Sequence, residues 1–292
     1  MKKTNWNEAL RTGVELVRRA KRRQHTMEEW FYVQEIRMEE SELMRRAGGN
    51  VDSPAGQAEL LCRVARRMPI SIVPGSALAG TQDCAFSPSY ALINPSFKVE
   101  DFAGYCDPSA IYADIEPAPG RDLDVKRIRR VRSRLEKSEY VSRLKDVYAA
   151  TGEETKEVVY FVEPVTGHTI PDMRPALRDG IKSMQEQALR AGTKYASAMA
   201  TALEAPLILA DRYSRLADSM ARKANNPAEK ARLKRIAEVL RRVPAEGARN
   251  LHEAIQSFVL LWQIMALEQA PNPYAFSTGN IDRVFQPYYA VG

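Results

Sequence analysis

Apolar and polar positions alternate most regularly between Pro244 and Tyr289. There Leu251, Ile255, Phe258, Val259, Trp262, Met265 and Ala266 recur at i, i+4, i+7 and i+8. One broad apolar face at that period predicts a buried helix over 246–269. Pro244 precedes it, and Glu246 and Glu253 bring negative charge to its N-terminal half, where the helix dipole favours it. Pro271 and Pro273 end the pattern, and a polar turn at Ser277-Thr278-Gly279-Asn280 leads into an aromatic segment closing on Pro287-Tyr288-Tyr289.

The same period predicts helices through most of the chain. Residues 5–47 read as two, marked by Leu10, Val14 and Val17 and then by Met27, Trp30, Phe31 and Met38, with Gly48-Gly49-Asn50 able to supply a left-handed terminus. A short helix over 55–68 is closed by Pro69. From 69 to 120 six further prolines break the chain into irregular pieces, with short strands predicted around 70–73 and 89–93. Aromatics such as Phe86, Tyr90, Phe97 and Tyr105 argue against disorder there. A basic helix over 122–149 and a β-like piece at 157–161 follow. Helices are then predicted over 176–202, 205–223 and 228–242, the last capped by Asn226-Pro227. The fold class expected is mainly α with few short strands (α/β). Its regions are helical over 1–68, Pro-rich and irregular over 69–120, and helical over 121–292. In such regular helices chemistry belongs to the turns.

Composition changes this picture little. Of 292 residues, 45% are hydrophobic and 27% charged, the balance of a globular protein. The apolar run Phe258–Trp262 falls far short of the roughly 20 residues of a membrane span. The first residues carry two lysines without an apolar stretch behind them, so no secretory signal is read and a cytoplasmic protein is the default. A net charge of +6 and a pI near 9.2 would admit an acidic partner. The basic residues, however, concentrate at 126–145 and 222–242, where Ile128, Val131 and Leu135, and Leu233, Ile236 and Leu240, keep helical spacing. Solvated outer faces of packed helices are therefore expected in preference to a nucleic-acid groove. Cys62, Cys84 and Cys106 are widely spaced, and His25, His168 and His252 do not supplement them at ligand spacing. No metal site is expected and the thiols read as reduced and structural, with one reactive cysteine left open.

Two turns hold candidate chemistry. In the first, Tyr160 ends the β-like piece and His168 stands in a Thr-Gly-His-Thr turn ahead of a helix, whose positive end favours neutral imidazole. Neutral imidazole both donates and accepts, which suits a hydroxyl or carbonyl ligand; the alternative is that His168 serves the turn itself. In the second, small hydroxyl residues beside Gly279 permit close backbone approach to a ligand, or else Ser277 or Asn280 simply caps the next helix. His252-Glu253 has Gln256 where a metalloprotease helix has its second histidine, so a structural role is read for His252. The glycines of 75–80 lack the lysine of a phosphate loop.

The string Leu251-His252-Glu253-Ala254-Ile255-Gln256-Ser257-Phe258, then Ser277-x-Gly279-x-Ile281-Asp282-Arg283 with Pro287-Tyr288-Tyr289, resembles the N-terminal half of the glycyl radical enzymes. The resemblance is to the pyruvate formate-lyase-like branch of glycerol/diol and hydroxyproline dehydratases and choline lyase. Gly167-His168-Thr169-Ile170-Pro171-Asp172 extends the match. Asn280-Ile281 departs from the family's Arg-Phe. The resemblance implies the N-terminal half of a ten-stranded α/β barrel wrapped in helices, with Tyr160, His168 and Ser277 facing a small hydroxylated substrate. It also implies a thiyl radical on a central cysteine, fed by a glycyl radical that an activase installs using S-adenosylmethionine and an iron–sulfur cluster. None of the three cysteines has the radical cysteine's context, and Gly292 lacks that of the glycine loop. The chain is therefore expected to hold no catalytic residue of its own and to bind no cofactor directly. It is expected to need its C-terminal half in cis or in trans, as a fragment, a split-enzyme half or a relic, and to form a homo-oligomer. A non-catalytic helical binding or scaffold protein is the alternative.

Overall fold

The computed structural model describes residues 27–72, 74–80, 146, 150, 170–268 and 278–289. The described part is mainly helical: α1 (Met27–Arg46), α2 (Pro54–Arg67), α3 (Arg174–Asp179), α4 (Ile181–Arg190), α5 (Lys194–Ala202), α6 (Glu204–Lys223), α7 (Pro227–Arg242), α8 (Leu251–Glu268) and α9 (Ile281–Tyr289).

Local chemistry accounts for most of the boundaries. α1 ends as a Schellman motif: Gly48 N–H donates to Arg45 O (3.0 Å) and Gly49 N–H to Met44 O (3.0 Å). Ser53 Oγ accepts from Gly56 N–H at 3.0 Å and Pro54 opens α2. Asn226 caps α7 through Oδ1, which accepts from Ala228 N–H at 2.9 Å, with Pro227 next. Both the α1 terminus and the Asn226-Pro227 cap follow the sequence pattern.

Two expectations fail. The continuous helix over 176–202 is three helices, because Gly180 at φ +81° separates α3 from α4 and the Gly192-Thr193 turn separates α4 from α5. No strand occurs among the described residues, 70–72 included. The strands expected at 89–93 and 157–161, the first helix of 5–47 and nearly all of the helix over 122–149 lie outside the described residues.

α6 and α7 form an antiparallel hairpin. Ala210, Ser214, Ala217 and Ala221 recur on the buried side of α6, and Ser214 Oγ donates to Ala237 O at 3.0 Å. Small side chains there let the two helices approach closely. α2 packs across α6, where Arg212 donates to Ala65 O (2.6 Å) and Met68 O (2.7 Å) and so satisfies carbonyls at the end of α2. Cys62 is fully buried beneath α5, its Sγ 3.2 Å from Thr201 O. These elements share one core with the middle of α8 through Leu60, Leu209, Tyr213, Leu233, Ile236 and Leu260. The other flank of α8 faces a second, smaller core.

Candidate functional site

α8 is the axis of the site. It starts at Leu251 and not near 246, because residues 244–250 direct their backbone elsewhere. Asn250 Oδ1 accepts from Glu253 N–H (3.0 Å), and the Glu253 carboxylate accepts from Arg249 N–H (2.9 Å) and its guanidinium (2.6 Å). This is a capping box with the acid reaching one residue further back. Arg242 Nε adds a donor at 3.3 Å and its other nitrogens hold Glu246 and Gly247 O. Burial raises the Glu253 pKa, but these donors outweigh it and hold the carboxyl below its ordinary value.

The 244–248 loop carries α3 and α4. Pro244 O and Ala245 O accept from Ile181 N–H (2.9 Å) and Lys182 N–H (3.1 Å), filling the free donors at the start of α4. Ala248 N–H donates back to Leu177 O at 2.8 Å. The two backbones meet at glycines: a Cβ at Gly180 would lie 2.5 Å from Ala245 O, and one at Gly247 only 2.1 Å from Arg178 O.

Around this clasp the second core assembles from Met173, Ala176, Leu177, Ile181, Phe258 and Leu261, with Val284, Phe285 and Tyr288 of α9 packed against it. Phe285 meets Phe258 edge-on at 5.3 Å between ring centres. Asn280 takes the N-cap place of α9, its carbonyl accepting from Val284 N–H at 3.1 Å. Just ahead of α9, Gly279 (φ +68°) packs on Ile170, so that a Cβ at 279 would lie 2.8 Å from Ile170 Cγ2. The segments entering α3 and α9 therefore touch.

On another side of α8, Gln256 pairs with both groups of Ala79: its Oε1 accepts from the N–H (2.8 Å) and its Nε2 donates to the carbonyl (3.1 Å). Gln263, two turns on, donates to Gly80 O. These amides tie the 76–80 segment to α8. Sequence reading missed them, although two glutamines seven residues apart within an otherwise apolar run were the available signal.

Tyr160, His168 and Ser277 lie outside the described residues, as do Cys84 and Cys106. Cys62 is described and is sealed in the core, out of reach of any substrate, where burial pushes its thiol up to about 12. His252 has its Nε2 buried without a partner among the described residues, and burial, with Arg235 nearby, lowers its pKa. Several cations of 222–242 are engaged, Arg232 by Glu229 and Ser76 O, Arg241 by Asp218, and Arg242 by Glu246 and Glu253. Among the described residues no three His, Cys, Asp or Glu side chains converge as metal ligands, and no helix is long and apolar enough to cross a membrane.

The family model described as pyruvate formate lyase-like matches residues 7–291. The isethionate sulfite-lyase of Oleidesulfovibrio alaskensis is 28% identical over 151 residues, which is 52% of this chain and 16% of that protein. Among solved structures, a protein of 1,2-propanediol dehydration in Roseburia inulinivorans superposes with a TM-score of 0.65 at 20% identity, covering 93% of this chain and 36% of that one. Hydroxyproline dehydratase from Clostridioides difficile gives 0.61 at 20% identity, covering 89% and 34%. At that identity the likeness is one of fold. The chain spans about a third of the solved relatives' length and less of the curated one's.

Proposed function

The chain belongs to the pyruvate formate lyase-like family, and from that premise we propose that α3, α8 and α9 form part of the wall of a glycyl radical lyase or dehydratase site for a small hydroxylated substrate. The contact of Ile170 with Gly279 beside α8 carries this reading. Each of the two stands two residues after a group able to bind a hydroxyl, His168 and Ser277. Two residues of extended chain span at most about 7 Å, and this short tether to the contact supports assigning both groups to one site. Tyr160 is proposed as a third contact. The substrates named for the relatives (isethionate, 1,2-propanediol and hydroxyproline) share a carbon-bound hydroxyl, which supports the substrate class.

In this reading a glycyl radical, installed by an S-adenosylmethionine- and iron–sulfur-dependent activase, supplies hydrogen abstraction through a cysteine thiyl. Cys62 is buried away from any substrate and Cys84 and Cys106 lack the sequence context of that cysteine, so we assign the radical-bearing segments to polypeptide acting with this chain in cis or in trans, within a cytoplasmic ten-stranded barrel that forms homo-oligomers. This chain's own residues bind and orient the substrate and exclude water. In the activated, complete enzyme, His168→Ala should raise KM or cut turnover of 1,2-propanediol, isethionate or trans-4-hydroxyproline by about 100-fold. Unchanged kinetics on whichever of these the wild type converts would sink the assignment.

A further inference from the structure

We infer that the turn end of the α6–α7 hairpin is a docking surface for an acidic segment of a partner polypeptide, with Lys230, Lys234 and Arg235 as its contact residues. The inference is independent of the radical chemistry proposed above. The other cations of α7 are engaged, Arg232 by Glu229, Arg241 by Asp218, and Arg242 by Glu246 and Glu253. Lys230, Lys234 and Arg235 are exposed and enter no ion pair among the described residues. The same holds for Arg222 and Lys223, which end α6 just across the turn at 224–226. No acid of α7 balances them. Glu229, in its first turn, is taken by Arg232, and Glu238, one turn beyond Lys234, pairs with neither Lys234 nor Arg235.

This placement runs against the electrostatics of the helix. The start of a helix carries partial positive charge and favours acids, yet Lys230 stands in the first turn after the Asn226 cap. Lys230 and Lys234, four residues apart on one face, also repel each other. The core requires neither, since α7 meets it through Leu233, Ile236, Ala237 and Leu240. The unbalanced field reaches α8, where burial and then the charge of Arg235 lower the His252 pKa. A local conflict that packing does not demand marks a functional surface, and carboxylates docked on it would relieve both repulsions. Carboxylates four residues apart on a partner helix stand about 6 Å from each other, the spacing of Lys230 and Lys234. A nucleic acid fits less well. Lys230 to Arg235 spans only about 7.5 Å of helix, short for a run of phosphates, and residues 222–235 hold no aromatic ring on which a base could stack.

The test uses the full chain with two labelled probes, an oligoglutamate peptide and a single-stranded oligothymidylate of equal charge, followed by fluorescence anisotropy. Oligoglutamate should bind at low salt and be released as salt rises. Lys230→Gln with Lys234→Gln should weaken that binding by about 10-fold. The charge-matched pair Lys182→Gln with Lys194→Gln, at exposed cations of α4 and α5, should leave it unchanged. Equal losses in the two pairs mean that net charge alone attracts the peptide, and overturn the inference, as does a wild type that binds no oligoglutamate. Tighter binding of oligothymidylate that the 230/234 pair abolishes overturns the acidic polypeptide in favour of nucleic acid. Lys230→Glu is the second arm. It should raise the Tm of the free chain, because an acid suits the start of α7, while abolishing peptide binding. A Tm that is unchanged or lowered removes the conflict on which the inference stands. Turnover is read in neither arm, so the fate of the His168→Ala test and that of this surface are decided separately.

Discussion

A carboxylate with 1% of its side chain exposed, as Glu253 has, stays ionised only where donors replace the water it has lost. Arg249 and Arg242 do so, and the same acid caps α8. Its folded pKa is lowered from an ordinary 4.5. The stabilisation is therefore fully present above that value and is lost as pH falls through the lower folded one. Glu40, between Arg63 and Arg67 at the α1–α2 contact, behaves alike: burial raises its pKa and the two arginines more than offset this. Replacing Glu253 by Gln should cost about 2 kcal/mol at neutral pH and flatten the fall in stability below 4.5; equal acid profiles for the two proteins would refute the capping role. His252 adds a separate, higher window. Its folded pKa is lowered from 6.5, so stability declines as pH drops below that value and the unfolded chain takes up the proton. From sequence, Glu253 was legible as a charge suited to a helix start. That it closes a capping box with Asn250 depends on where the helix begins, which periodicity does not fix.

Among the described residues helix existence was legible, and so were the bounds of α2, α6 and α7, but the start of α8 was not, for a physical reason. The apolar period extends cleanly back only to Leu251, and the sequence reading carried the helix on to 246 on the strength of Pro244 and Glu246. The loop instead spends its backbone groups on α3 and α4. The same competition splits 176–202: Leu177 and Ile181 keep helical spacing, yet Gly180 turns so that the start of α4 can take the carbonyls of Pro244 and Ala245. Tertiary hydrogen bonding won over local pattern in both places. Gly247→Ala tests this clasp, since its Cβ would sit 2.1 Å from a backbone oxygen that cannot swing away. It should destabilise the chain by about 3 kcal/mol, at the upper end of ordinary overpacking, in urea unfolding. A loss under about 0.5 kcal/mol, the range of ordinary surface changes, would mean that the clasp yields freely. Of the candidate site, the helices that frame it, α3, α8 and α9, could be read from the residues. The contact of Ile170 with Gly279 could not, because it joins segments more than a hundred residues apart and one partner is defined by the side chain it lacks.

At the scale of the molecule, the described surface leaves large apolar side chains exposed, Leu43 on α1 and the rest on two pairs of elements. Leu189, Tyr195 and Met199 are exposed on α4 and α5, and Ile170, Ile281 and Tyr289 on the segment entering α3 and on α9. Single exposed apolar residues are ordinary, whereas clusters mark surfaces that another polypeptide covers or that drive association. The second cluster continues the core of Met173, Leu177, Phe258 and Leu261 outward along α9, as expected if the proposed wall is completed by further barrel elements. Residues 1–292 produced alone should therefore self-associate at micromolar concentration in sedimentation velocity, or precipitate. Replacing Tyr195 and Met199 by lysine should reduce association through α4 and α5 without altering thermal stability, because neither side chain is buried in a described core. Association that persists unchanged in that variant would shift the cause to the Ile170–Ile281 edge. A monodisperse monomer of the unaltered chain would count against a wall that awaits covering, and with it against the assignment of α8 and α9 to a larger barrel.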